Sequence, residues 1–390
     1  MAYTAPTVNY CATIGGTYTS LTGIQSVSIS RGRQRFQDNF TQTNCVIELI
    51  PSATYAVPLA VGQFIDVRTT NAAGSPAYFV GNITDIERQY SIPYTAATGL
   101  APADRITITA AGTLGVLGKS TFADYFIVSS NATETVGQVA FDAGTIVDGV
   151  GLNYTSLAFN SAQALTNIGV LDLVNTLLRT AQYFIDDIDN ARAAYLGKSN
   201  VGVTFQPGQG NTTYTFSDAG TVGALRFNNL QFLSSVQNTF TQAQVAPAGL
   251  ATQTASSGSA PYNTLVYDTY SVSTADAASL AGYIINLQST TTAVPFSIST
   301  NTNLAPTCTT ISELALTGVL SDITAGMNLG ATVKVIFRGT TVNATIQGIN
   351  TTFYPDYATV QLFLSPSLGT AFTLDSTVLG VLDTSRLGFP

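Results

Sequence analysis

The chain has 390 residues, and 45% of them are hydrophobic, enough for large buried cores over two or three domains. Only 9% are charged, with 14 Lys and Arg against 22 Asp and Glu, so the net charge of −8 argues against a protein that grips phosphate backbone. Histidine is absent, which excludes His-based acid–base catalysis, Ser-His-Asp and Cys-His nucleophiles, and His metal sites.

In chain order, the start Met1-Ala2-Tyr3-Thr4-Ala5-Pro6 lacks the basic and apolar regions of an export signal, and no stretch nears ~18 uninterrupted apolar residues. A soluble chain without a membrane anchor, folding in the cytoplasm, is the expectation. Val61-Gly62-Gln63-Phe64-Ile65-Asp66-Val67-Arg68 alternates Ile65 and Val67 with Asp66 and Arg68, the period of a half-buried strand. A turn over 71–76 leads to a second strand over 77–83, where Gly81 suggests a bulge, and Arg105–Thr109 alternates again. A short helix is expected over 133–141, weakened by Gly137.

Over 168–196, Leu171, Val174, Leu178, Ala181, Ile185 and Ile188 step by three and four, predicting one long amphipathic helix. Thr166 or Asn167 would be its N-cap, and Gly197 lies just past its end. Residues 246–262, small and polar with two prolines, read as a loop. Ser273-Thr274-Ala275-Asp276 resembles a capping box opening a helix over 274–288, with Ala277, Leu280, Ile284 and Leu287 as its apolar face.

Near the end, Leu329-Gly330, a strand over 331–337, the turn Arg338-Gly339-Thr340, a strand over 342–349 and another over 358–364 repeat the layout of 61–109. Gly62 and Gly81 are 19 residues apart and Gly330 and Gly348 are 18 apart, which places Gly348 like Gly81 and predicts an internal repeat.

Nothing in the sequence assembles a catalytic, cofactor or metal site. Cys11, Cys45 and Cys308 are far apart, with no C-x-x-C, and read as buried thiols. Gly118-Lys119-Ser120 and Gly197-Lys198-Ser199 are not phosphate loops, because Thr113 and Arg192 stand where the upstream glycine is needed. Asp186, Asp187 and Asp189 could suggest a cation site or a carboxylate pair, but read better as the solvated end of the long helix. Arg31-Gly32-Arg33-Gln34-Arg35, the one basic run, could touch an acidic partner or phosphate, and reads more simply as a solvated turn.

The order of several segments resembles a known family. Ile24–Arg33 leads into Phe40–Leu49, then Val61–Val67 and Phe79–Ile83; Ser259-Ala260-Pro261-Tyr262-Asn263 precedes the capped helix; Leu362–Ser367 and Gly380–Phe389 close the chain. This series is similar to minor tail (baseplate hub) proteins of long-tailed, siphovirus-type bacteriophages. The absence of Trp departs from many members, which carry one near the last strands.

The resemblance implies a mainly β fold with inserted helices, in which two small antiparallel β-barrel-like hub domains flank a mixed middle region. The expected divisions are 1–118 (first hub domain), 119–215 (mixed insertion with the long helix), 216–320 (middle domain with helix 274–288) and 321–390 (second hub domain and C-terminal tail). It also implies a structural virion protein without enzymatic activity or cofactors. A homotrimeric ring at the distal end of the tail would contact the tail tube or distal tail protein, the tape measure protein and a tail fibre or receptor-binding protein. DNA would pass through it without specific binding. A different tail-tip ring, a receptor-binding component, a Thr/Asn-rich β adhesin and a carboxylate-based hydrolase are the competing expectations.

Overall fold

The computed structural model describes residues 5–12, 17–50, 59–68, 77–89, 105–112, 114–127, 139, 142, 146–150, 164–186, 202–207, 214–219, 224–233, 239–288, 294–302 and 329–367. The chain opens with β1 (Thr7–Cys11), β2 (Thr19–Ser20), β3 (Ile24–Gly32), β4 (Asn44–Leu49), β5 (Phe64–Arg68), β6 (Ala77–Gln89) and β7 (Arg105–Ala111). Then come α1 (Leu114–Leu117), β8 (Thr121–Phe126), β9 (Ile146–Val150), β10 (Ala164–Gly169), α2 (Val170–Ala181), β11 (Tyr183–Asp186) and β12 (Gly202–Pro207). The remainder is β13 (Tyr214–Ser217), β14 (Asn229–Leu233), β15 (Gln242–Pro247), β16 (Gln253–Ser256), β17 (Thr264–Thr269), α3 (Thr274–Gln288), β18 (Val294–Asn301), β19 (Thr332–Phe337), β20 (Thr340–Phe353) and β21 (Ala358–Pro366).

Period-two alternation does form strands here. In β4, Cys45, Ile47 and Leu49 are buried while Asn44, Val46 and Glu48 face outward. The mainly β fold is therefore observed, with thirteen strands in one large sheet. Among the described residues its ladders follow an open path ending at β2 and β14, so two separate closed barrels are not seen. Instead the sheet contains two units of matching connectivity. Neighbouring strands in the first run β3-β4-β7-β6-β5-β1, and in the second β14-β18-β21-β20-β19-β13. Numbering each unit's strands by chain order gives 2-3-6-5-4-1 both times. The outermost strand differs: β1 is antiparallel to β5, whereas β13 is parallel to β19.

The registers correspond closely. Gly62 and Gly330 each donate N–H to the carbonyl of Ile83 or Ile346, and each has positive φ, 87° and 81°. Ladder irregularities follow at the same place, between Ile83 and Asp85 and between Ile346 and Gly348. Gly348 thus corresponds to Asp85, and Gly81, opposite Ile65, corresponds to Ala344, opposite Val333. The expected match of Gly348 with Gly81 is corrected. Residues 69–76 join β5 to β6, whereas the two-residue turn Arg338-Gly339, with both φ positive, joins β19 to β20. The different turn lengths made the two glycine spacings agree by coincidence.

The units are joined by β3 pairing antiparallel with the distal half of β20, from Gly32↔Gly348 to Val27↔Phe353. Two glycines allow this approach. A Cβ on Gly348 would lie 2.4 Å from the Arg33 carbonyl oxygen, and one on Gly32 2.4 Å from that of Gln347. A single large core crosses the seam, running from Val27, Ile47 and Ile108 through Leu173 and Leu178 to Val333, Ile349 and Leu362.

The helix expected over 168–196 is shorter. It ends at Ala181 because Gln182 is left-handed, at φ 57° and ψ 38°, and its N–H turns back to the Arg179 and Leu178 carbonyls. Gly169 takes the N-cap position without a side-chain cap, and Thr166 and Asn167 lie in β10. Ile185 prolongs the apolar stepping from β11, where Phe184 and Ile185 are both buried. A strand covered on both faces loses its alternation and can continue a helical pattern by chance. Ile188 and Gly197 lie outside the described residues, as does most of the helix expected over 133–141; Val139 in that stretch is helical and buried.

α3 matches the expected helix. Ser273 Oγ accepts the Asp276 N–H at 3.1 Å and donates to the Asp276 carboxylate at 2.6 Å. Ala277, Leu280, Ile284 and Leu287 pack with Ala243, Val245 and Tyr267 in a second, smaller core. The segment read as a loop over 246–262 contains β16, which pairs with β15 from Gln242↔Ser256 to Val245↔Gln253. Its small side chains carry little strand signal, but Ala255 packs on the second core.

Candidate assembly surfaces

The basic run 31–35 is not a solvated turn. Arg31 is buried on β3, and Arg33 leaves the end of that strand to reach over the ring of Phe40 at 4.5 Å, with Phe36 at 5.4 Å and Phe184 at 5.6 Å. Its Nε donates to Gln347 Oε1 at 2.8 Å, across the seam, and Gln347 Nε2 donates to Ser365 Oγ at 2.8 Å. Burial pushes the Arg33 guanidinium down to about 10, which still leaves it charged at neutral pH. The aromatic faces and the Gln347 oxygen offset part of the desolvation penalty. This arginine ties the first unit to the second.

α2 braces the same region. Asn175 Oδ1 accepts the Phe40 N–H at 2.8 Å, and its Nδ2 donates to the Phe40 carbonyl at 3.2 Å. Arg179 donates to Asn39 Oδ1 and lies over the Tyr267 ring at 5.3 Å. Arg31, Arg33 and Arg179, with Asp38, Asn350 and Phe363, line a cavity of about 520 Å³ at the seam. Asp38 Oδ2 is engaged by the Arg35 N–H at 3.0 Å. In an acidic chain this is a cationic recess, chemically suited to an acidic side chain.

The other sequence candidates do not converge. Asp186 ends β11, and Asp187 and Asp189 lie outside the described residues. Gly118-Lys119-Ser120 turns from α1 into β8, with Ser120 N–H bonded to the Leu117 carbonyl and Lys119 exposed. Thr113, Arg192, Gly197-Lys198-Ser199 and Cys308 lie outside the described residues. Cys11 and Cys45 are buried, and burial pushes the Cys45 thiol above its ordinary range. Among the described residues no cluster of three or more His, Cys, Asp or Glu could hold a metal. No helix among them is long and apolar enough to cross a membrane.

Two strand edges complete the surface. β14 has β18 on one side, and among the described residues no strand on the other. β6 pairs with β7 along 82–89, but on its other side β5 stops at Asn82 and the preceding turn at Ile83. The seam and its counterparts are not legible in the sequence pattern. The signal present was a pair of glycines, Gly32 and Gly348, at positions where a strand would ordinarily carry a side chain.

No family model matches the sequence, and no curated protein matches it. Solved structures do match in fold. The tail protein of Neisseria meningitidis MC58 aligns with TM-score 0.61 at 10% identity, covering 95% of this chain and 98% of that one. The 43 kDa tail protein of prophage MuSo2 from Shewanella oneidensis aligns with TM-score 0.58 at 13% identity, over 92% and 98%. A prophage tail protein of Listeria monocytogenes EGD-e aligns with TM-score 0.50 at 12% identity, over 92% and 94%. The chain therefore shares the fold of these tail proteins over 92–95% of its length.

Proposed function

We propose that the chain is a structural component of a phage-type tail, a ring-forming hub at the distal end of the tail tube. The observation that carries this reading is the fold likeness to tail proteins across nearly the full length of both chains. The two units of matching strand order support it further, because three copies would present six similar units to a sixfold tube without a symmetry mismatch. The partners implied are the tail tube or a distal tail protein, the tape measure protein and a fibre or receptor-binding protein. The net charge of −8 suits a conduit from which DNA slides freely. The role is one of assembly and passage, without chemistry.

Native mass spectrometry of the free protein, paired with electron microscopy, tests this. A hollow trimeric ring is expected. A hexamer would favour a distal-tail ring instead, and a monomer that labelled antibody fails to find on tails would overturn the proposal.

A further inference from the structure

We propose that β14 of one copy adds as an antiparallel strand to Ile86–Gln89 of β6 in a second copy, repeating between chains the seam that β3 and β20 make within one; the inference rests on the ring reading. The inner seam joins strand two of the first unit, β3, to strand five of the second, β20. The reciprocal pair is strand two of the second unit, β14, and strand five of the first, β6. Neither edge is covered by a described strand; among the described residues, the outer sides of β2 and β13 are the other open edges of the large sheet.

The burial contrast points the same way. Gly348, Ile349, Thr351 and Phe353 of β20, which pairs with β3 alongside, are buried. The corresponding stretch of β6 is exposed at Asp85, Glu87, Arg88 and Gln89, and only Ile86 is half-buried. On β14, Asn229, Gln231 and Phe232 are exposed, with Phe232 at 38%. An unpaired edge with a partly exposed aromatic, here Phe232 touching only Phe337 among the described rings, is a liability that strand addition removes.

The shared registers predict the contacts. Val27 faces Ile47 in one unit as Leu230 faces Ile298 in the other, so Ser28 corresponds to Gln231; the β14–β18 ladder then shifts between Gln231 and Phe232, and Phe232 corresponds to Ile29 by count along its own strand. Ile349 faces Leu362 as Ile86 faces Ile108, so Thr351 corresponds to Arg88 and Thr352 to Gln89. The inner pairs Ser28↔Thr352 and Ile29↔Thr351 then become Gln231 against Gln89 and Phe232 against Arg88. The first is an amide pair that can exchange hydrogen bonds while Gln231 Oε1 keeps its bond from Ser297 Oγ, and the second sets the Arg88 guanidinium, whose Nη2 donates to the Leu59 carbonyl within the chain, on an aromatic face. The glycines of the inner seam are not repeated, since Asp85 stands where Gly348 does, so pairing begins at Ile86. The two edges differ, so copies join head to tail and must close into a ring or extend indefinitely.

The test is disulfide trapping in the full chain with Arg88→Cys and Phe232→Cys. Mild oxidation of the two single variants mixed together should yield a covalent dimer. The double variant should yield covalent species up to the ring size seen by native mass spectrometry, and neither single variant alone should cross-link. A ring with no cross-link in the mixture would overturn the pairing while leaving the ring reading intact. Cross-linking of Phe232→Cys with itself would overturn it in favour of like-edge pairing. A monomer without cross-links would overturn both.

Discussion

Ile349 in β20 and Ile86 in β6 hold corresponding places, opposite Leu362 and Ile108, yet Ile349 is 1% exposed and Ile86 only half-buried. The backbone plan around them is the same; what differs is whether a neighbouring strand lies alongside. A duplicated unit thus meets two fates in one chain, a covered strand in the middle and uncovered edges at the flanks. The insertions differ in a parallel way. α2 feeds Leu173, Leu177 and Leu178 into the large core, whereas α3 makes a second core with β15 and β17.

Leu178→Ala tests that contrast with the largest expected effect. Leu178 is 1% exposed within the large core, so the loss should be about 4 kcal/mol, read as a shift of the main denaturant transition. Leu280→Ala removes a similar volume from the second core. It should raise hydrogen exchange in α3 and β15 while leaving the main transition nearly in place. Equal effects on the main transition would mean that the two cores unfold as one.

The seam comes next. Ile349→Ala should cost about 3 kcal/mol and its counterpart Ile86→Ala about 1 kcal/mol in the isolated chain, both by equilibrium denaturation. Equal losses would show that the edge of β6 is already covered. Ser273→Ala removes the cap of α3 and should cost about 1 kcal/mol, seen as faster exchange in its first turn. The smallest effect has the opposite sign. Thr351 is buried at the seam and its Oγ1 has no hydrogen-bond partner among the described residues, so Thr351→Val should stabilise by up to about 1 kcal/mol. Destabilisation there would place a hydrogen-bonding group at that hydroxyl.

Several features are legible in local chemistry alone. The alternation of Ile65, Asp66, Val67 and Arg68 marks β5 as a strand, but not its expected half-burial, because Asp66 is buried too, between Asn9 and Arg68. Ser273 and Asp276 mark the start of α3 because a cap is a contact three residues long. The absence of histidine excludes whole classes of chemistry. The layout over 61–109 and 329–364 discloses a repeat, although only three of its six strands are visible in the residue pattern.

Other features are decided by contacts far apart in sequence. The helix stripe from Leu171 to Ile188 hides a left-handed break at Gln182, because β11 is covered on both faces and imitates a helix's apolar spacing. Arg33 looks solvated in its own run, and only the fold brings Phe40, Phe184 and Gln347 around it from three directions. The pairing of β3 with β20, which makes one sheet of two units, joins residues more than 300 positions apart. A strand carries its period in its own residues, but its neighbour is chosen by shape, register and the space that Gly32 and Gly348 leave. Composition and spacing therefore determined the fold class and strands such as β5 and β7, while tertiary packing decided β11 and β16, which edges met and which stayed open.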